Sequence, residues 1–90
     1  MKQTKNERIM ESLMESLQDF FKFENQYHFD YVSIGNIDGI SVNREDFKML
    51  IKPVNNEYHL IRNGKVDKVK NISSVCSWIP QLWNEYKDKV

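Results

Sequence analysis

The strongest constraint on the fold is an alternating pattern between positions 47 and 70, interrupted by turn-forming dipeptides. Large apolar residues occupy every second position in 47–51 and again in 58–60, with a Pro-Val-Asn-Asn stretch between them. Asn63-Gly64 then separates 58–62 from 65–70, and Asn-Gly is a strong hairpin signal because both positions accept positive φ. This part of the chain therefore predicts three antiparallel strands in sequence order.

Alternation also covers residues 27–43, where two turn positions compete. Asp38-Gly39 predicts a two-residue hairpin turn that sets Ile37 opposite Ile40. Gly35-Asn36 is the alternative, and it would shift the pairing. A four-residue turn over 43–46 would pair Val42 with Phe47, and the turn over 53–56 has either four residues or only Asn55-Asn56.

Two segments have helical spacing, one at each end of the strands. Apolar residues recur at intervals of three and four in residues 5–23, which predicts a helix whose core stripe includes Ile9, Met10, Leu13, Met14, Leu17, Phe20 and Phe21. Residues 71–90 form the second helix, with Ser73 or Ser74 as N-cap. Pro80 predicts either a kink or a regular helix that starts near Ser77.

The expected pairings place nearly all large apolar strand residues on one side of the sheet. Both turn alternatives at 53–56 keep the same parity. With the Asp38-Gly39 turn, the inner face then collects Phe29, Tyr31, Ile37, Ile40, Val42, Phe47, Met49, Ile51, Tyr58, Leu60 and Val69. Both helices should cover it. The predicted fold is a two-layer α+β domain over residues 1–90, with an antiparallel β-meander of four to five strands and N- and C-terminal helices packed on one face.

Charge is divided along the chain although the net charge is zero. Residues 1–47 carry nine acidic and five basic side chains, whereas residues 48–90 carry four acidic and eight basic ones. The two parts thus have net charges of −4 and +4. A molecule with this dipole is biased in which partners it meets and in what orientation.

The outer side of the predicted sheet is the candidate interaction surface. It carries apolar residues surrounded by positive charge, namely Lys48, Leu50, Lys52, His59, Ile61, Val66, Lys68 and Lys70. Trp78, at the edge of the second helix's apolar stripe, joins this candidate set because Trp is enriched at binding hot spots. The competing interpretation is an ordinary solvated sheet face and, for Trp78, a partly covered core residue.

We expect a non-catalytic protein-interaction module that contacts another protein or a second copy of itself as a homodimer. Lysines that face each other repel, so acidic helix residues of a partner are the better complement. The alternative function is nucleic-acid binding through the basic residues of 48–70. Against it stand a sequence pI of about 6.7 and the lack of aromatic residues for base stacking on this face.

No motif for catalysis or cofactor binding stands out in the sequence. No serine lies in a nucleophile elbow, and His28, His59 and Cys76 each lack the local spacing of a metal site. We therefore expect no enzyme activity, no metal and no cofactor, and a buried, inert Cys76.

The sequence also predicts a cytoplasmic protein. Cys76 is the only cysteine, which excludes an internal disulfide. The polar N-terminus lacks the apolar stretch of a secretory signal, and no apolar run is long enough to span a membrane. The absence of alanine and the many Lys, Asn and Ile residues are typical of an AT-rich bacterial or phage genome.

Overall fold

The computed structural model describes residues 5–24, 26–34 and 37–89. It has the element order α-β-β-β-β-β-α. The helices are α1 (Lys5–Phe20) and α2 (Ile72–Lys89), and the strands are β1 (His28–Ile34), β2 (Ile37–Arg44), β3 (Phe47–Val54), β4 (Glu57–Arg62) and β5 (Lys65–Val69). The strands form one antiparallel sheet in the order β1-β2-β3-β4-β5, which is the predicted meander.

Positive φ angles mark the turns after β2, β3 and β4. Glu45 has φ 54°, Asn55 and Asn56 have 49° and 66°, and Asn63 and Gly64 have 45° and 78°. A two-residue hairpin turn requires such angles because its backbone twist must match that of the strands. The Asn63-Gly64 turn and its pairing of Tyr58 with Val69 are confirmed.

The first hairpin differs from the preferred prediction. Asp38 and Gly39 are not a turn; they lie inside β2, and the strands reverse between Ile34 and Ile37, which pair with each other. This is the register of the competing Gly35-Asn36 turn, whose two residues lie outside the described part of the chain. Ile37 therefore belongs to β2 and does not pair with Ile40, whose partner in β1 is Tyr31.

The next two hairpins use the shorter of the turns considered. Val42 pairs with Met49 and not with Phe47, because the turn after β2 contains only two residues. Ile51 likewise pairs with Leu60, which is the register of the two-residue turn at 55–56. Each of these two differences shifts the register by two, so the side chains of β3 and β4 stay on the predicted faces. The side chain of Ile37, also predicted on the inner face, lies outside the described part of the chain.

The two helices and the inner face of the sheet share one apolar core. Its residues have at most 7% of their surface exposed, and the strands contribute Ile40, Val42, Phe47, Met49, Ile51, Leu60 and Val69 to it. Phe29 and Tyr58 are partly buried against this core. Tyr31 was predicted to lie in the core, but it is 55% exposed because it sits on an edge strand at the margin of the helix layer.

Helix α1 ends three residues earlier than predicted, and Phe20 is not a core residue. Phe21 is 5% exposed and lies four residues after the buried Leu17, whereas Phe20 is 56% exposed. Two consecutive residues near a helix end point about 100° apart, so only one of them faces the core here. Phe23 follows α1 in a turn and is 92% exposed.

Helix α2 begins at Ile72, and its N-cap is Asn71, not Ser73 or Ser74. The Asn71 Oδ1 atom accepts a hydrogen bond of 2.8 Å from the Ser74 backbone N–H. The helix continues through Pro80, so the predicted late start near Ser77 is wrong. None of the helices within the described residues is long and apolar enough to cross a membrane.

Two arginines that point toward the helices connect the layers. The guanidinium carbon of Arg44 lies 4.9 Å from the ring centre of Tyr27 and 4.4 Å from that of Trp83. Arg62, on β4, pairs with Asp67 at 3.4 Å and with Glu85 of α2 at 2.9 Å. From the sequence, no role was predicted for Arg44, and Arg62 was counted only among the basic residues of 48–70. Their parity nevertheless matches that of the neighbouring core residues Val42 and Leu60.

Candidate protein-interaction surface

The outer side of strands β3, β4 and β5 presents the predicted combination of apolar and basic side chains. We call this surface the basic sheet face and define it by the residues on these strands that alternate with the core residues: Lys48, Leu50, Lys52, His59, Ile61, Val66 and Lys68. Because successive strand residues point to opposite faces, the buried inner residues fix the direction of these side chains.

An apolar row crosses the basic sheet face from strand to strand. Leu50 pairs with Ile61, and Ile61 pairs with Val66, so the three side chains are direct neighbours on adjacent strands. Leu50 and Ile61 are half-buried and Val66 is 49% exposed. A shallow depression lies over Leu50 and Ile61 and extends toward Val32 and Ser41.

A basic row runs beside the apolar row. Lys52 pairs with His59, and His59 pairs with Lys68, two residues along each strand from the apolar row. Lys48 lies on the other side of Leu50. Neighbouring strands are about 4.8 Å apart, so successive side chains within each row are separated by about that distance.

One carboxylate modifies the charge of the basic row. The Glu57 Oε2 atom is 3.9 Å from the Nε2 atom of His59, which makes an ion pair when the imidazole is protonated. His59 is the more enclosed member, with 19% of its side chain exposed against 36% for Glu57. Glu57 therefore places a negative charge beside the basic row at His59.

Gly39 gives Leu50 its place on the outer face. A Cβ atom built at Gly39 would lie 2.9 Å from Leu50 Cδ1 and 2.7 Å from the backbone oxygen of Ile51. Both distances are below ordinary van der Waals contact, and the second involves backbone that cannot rotate away. Gly39 is thus needed for close approach of Leu50 to β2, not for a turn.

Two predicted members lie apart from this surface. Lys70 is exposed but follows the end of β5, in the bend that leads to α2. Trp78 is on α2, on the opposite side of the sheet, where it is partly buried against the core. Of the nine predicted residues, the structure therefore brings seven together and leaves these two outside.

A second exposed apolar region was not identified from the sequence. Among the described residues the exposed large hydrophobic side chains are Phe20, Phe23, Tyr31 and Val66. Three of them are aromatic and lie at the end of α1 or on β1. Phe21 links these elements, because its ring centre is 4.8 Å from that of Phe20 and 5.6 Å from that of Phe29. The signal available in the sequence was the density of aromatic residues in 20–31.

The groups considered for metal binding or nucleophilic chemistry are separated. Cys76 is 3% exposed within the core, and burial raises the pKa of its thiol. His59 is on the other side of the sheet, so the two do not form a pair. In the described part of the chain, no three His, Cys, Asp or Glu side chains are grouped so as to hold a metal ion.

Comparison of the chain with protein-family models, with curated proteins and with solved structures finds no match.

Proposed function

We infer that the protein is a non-catalytic interaction module whose basic sheet face binds another protein. The observation that carries this proposal is the apolar row of Leu50, Ile61 and Val66 lying in register beside the basic row of Lys52, His59 and Lys68. An exposed apolar patch with a polar rim is typical of protein-binding surfaces.

The partner chemistry follows from the two rows. The distance of about 4.8 Å between neighbouring side chains of the apolar row is close to the 5.4 Å pitch of an α-helix. An amphipathic helix laid across the strands would therefore place one leucine per turn along the apolar row. Acidic residues on its flank would meet Lys52 and Lys68, which favours association through complementary charge.

Self-association through this same face is the less favourable version of the proposal. A two-fold contact would bring two copies of Lys48, Lys52 and Lys68 into one interface, where like charges repel. An acidic partner avoids this repulsion between lysines.

The test uses two defined probes, a synthetic amphipathic helix with a leucine stripe flanked by glutamates, and an oligothymidine strand. We expect the helix to bind, with the largest NMR shift changes at Leu50, Ile61 and Val66. Val66→Ser should weaken binding by about fivefold or more, the cost of losing most of one buried side chain. Lys52→Glu should weaken it as well, and the matched control Lys87→Glu, on the exposed side of α2, should not.

Nucleic-acid binding predicts a different result. In that case oligothymidine binds, Val66→Ser has no effect, and log K falls with log salt with a slope of about −2 for three phosphates neutralised by the lysines. That result would replace the protein-binding proposal by the nucleic-acid one. Helix binding that is indifferent to both Val66→Ser and Lys52→Glu would contradict the assignment of this surface.

A further inference from the structure

The two edge strands of the sheet are protected very differently. Strand β5 carries Lys65 and Lys68, both exposed, within five residues, and exposed Lys70 follows it. Lysines on an edge strand discourage pairing with another chain. Strand β1 is longer, with seven residues, and its sequence HFDYVSI contains neither lysine nor proline. Within the described residues, β1 pairs with β2 alone.

The exposed aromatic residues are on the side of the molecule that lacks this protection. Tyr31 is the fourth residue of β1 and is 55% exposed. Phe20 and Phe23, at 56% and 92% exposed, lie at the end of α1 and in the turn that follows it. The end of α1 is held against the start of β1 by the contact of Phe21 with Tyr27, at 4.8 Å between ring centres. Aromatic side chains beside an open strand edge are a combination that partner binding usually covers.

We propose that β1 pairs antiparallel with β1 of a second copy, so that two molecules form a dimer with a continuous ten-stranded sheet. Full overlap of the seven residues His28–Ile34 places the central residue, Tyr31, on the two-fold axis opposite its own copy. Phe29 then lies opposite Ser33, and Asp30 lies opposite Val32. No two charges of the same sign are directly opposed, so the strand is complementary to itself.

This pairing is compatible with the way the helices cover the sheet in each copy. Odd residues of β1 pair with odd residues of the second β1, and Phe29 and Tyr31 belong to the helix-covered face. The helix layers of both copies therefore lie on the same side of the joined sheet. Exposed aromatic residues from α1 and Tyr31 gather at the junction, while both basic sheet faces stay open on the other side. The dimer thus does not depend on the function proposed above.

Variants with opposite charges at position 31 test whether Tyr31 lies opposite its own copy. We expect sedimentation equilibrium of the unmodified protein to show a mass that rises with concentration from 10.8 kDa toward twice that value. Tyr31→Lys and Tyr31→Glu should each weaken dimerisation about tenfold or more, because each puts like charges directly opposite and removes an aromatic pair. An equimolar mixture of the two variants should recover the dimer, since Lys then faces Glu. Circular dichroism checks that each variant is folded.

Val66→Lys is the matched control, because Val66 is similarly exposed, at 49%, but lies on the other edge strand. It should leave the dimer unchanged. A second measurement is oxidation of Tyr31→Cys, which should give a disulfide-linked dimer because opposed Cα atoms in an antiparallel pair are about 4.5–5.5 Å apart. Val66→Cys should give none, and native Cys76 is buried at 3% exposed.

Two results would overturn the proposal. One is a mass of 10.8 kDa at every concentration measured. The other is a dimer that Tyr31→Lys and Tyr31→Glu leave intact, which would place the contact elsewhere. Neither result bears on helix binding by the basic sheet face, so the two proposals fail separately.

Discussion

The Arg44 side chain joins three parts of the structure. Its guanidinium group lies between the rings of Tyr27 and Trp83 and also donates a hydrogen bond to the Gln26 side chain. These contacts connect the segment after α1, strand β2 and helix α2. A planar guanidinium suits this position because it stacks on aromatic faces and is less strongly hydrated than an ammonium group.

We predict that Arg44→Met lowers the free energy of unfolding by about 1–2 kcal/mol, because the stem is kept while both cation–π contacts are lost. Arg44→Lys should recover only part of this loss, since an ammonium group cannot stack on two rings at once. Urea denaturation followed by tryptophan fluorescence measures both. Arg8→Met, at an exposed position of α1, is the control and should change stability by less than about 0.5 kcal/mol. Equal effects at positions 8 and 44 would contradict this role for Arg44.

At the level of secondary structure, Gly39 shows why the turn of the first hairpin was predicted wrongly. Both Asp38-Gly39 and Gly35-Asn36 have residues that accept positive φ, so turn chemistry alone does not choose between them. In the observed register Gly39 serves close packing, because a side chain at position 39 would collide with Leu50 and with the Ile51 carbonyl. The sequence does not distinguish a glycine that is needed for close packing from one that is needed for a turn, which is why the preferred prediction was wrong.

We predict that Gly39→Asn lowers the free energy of unfolding by about 1–3 kcal/mol, the usual cost of forcing extra atoms into a packed site. Gly64→Asn is the matched control. Gly64 has φ 78° with nothing within 4 Å of a built Cβ, and Asn is tolerated in that conformation. Thermal and urea unfolding should thus separate the two variants. If Gly64→Asn is the more damaging substitution, the assignment of Gly39 to packing is wrong.

Parity was the most informative property of the strands for prediction. Three of the four hairpins differ from the preferred or first-stated register, yet the pairings keep their parity, so the side chains of β3, β4 and β5 lie on the expected sides of the sheet. This agreement does not extend to Ile37, which belongs to β2 and not to the first strand. What parity does not give is where the helix layer ends. Tyr31 and Phe20 follow the apolar pattern but lie beyond that layer, and this depends on how α1 is placed over the sheet.

For the whole molecule, the helices and the sheet should unfold together. Leu13 of α1 and Leu82 of α2 are both fully buried, at 0% exposed, in the same core cluster. A domain of this size has no second core to remain folded. The loss of either side chain therefore destabilises all the helices and strands together.

We predict that Leu13→Ala and Leu82→Ala each lower the free energy of unfolding by about 2.5–4 kcal/mol. Far-UV circular dichroism and tryptophan fluorescence should give the same midpoint for each variant, although both tryptophans are on α2. A fluorescence transition that persists in Leu13→Ala after the helical signal has dropped would show that α2 and the sheet unfold without α1. Leu13→Met keeps the volume and serves as the mild comparison.

The meander order has a consequence for the speed of folding. Every strand pairs with its neighbour along the chain through a short reversal, so closing the sheet involves only small losses of loop entropy. The encounter between elements farthest apart along the chain is that of α1 with α2, which contact each other across the entire length of the sheet-forming segment. The hairpins should accordingly form early, and the docking of the two helices should limit the rate at which the native state is reached.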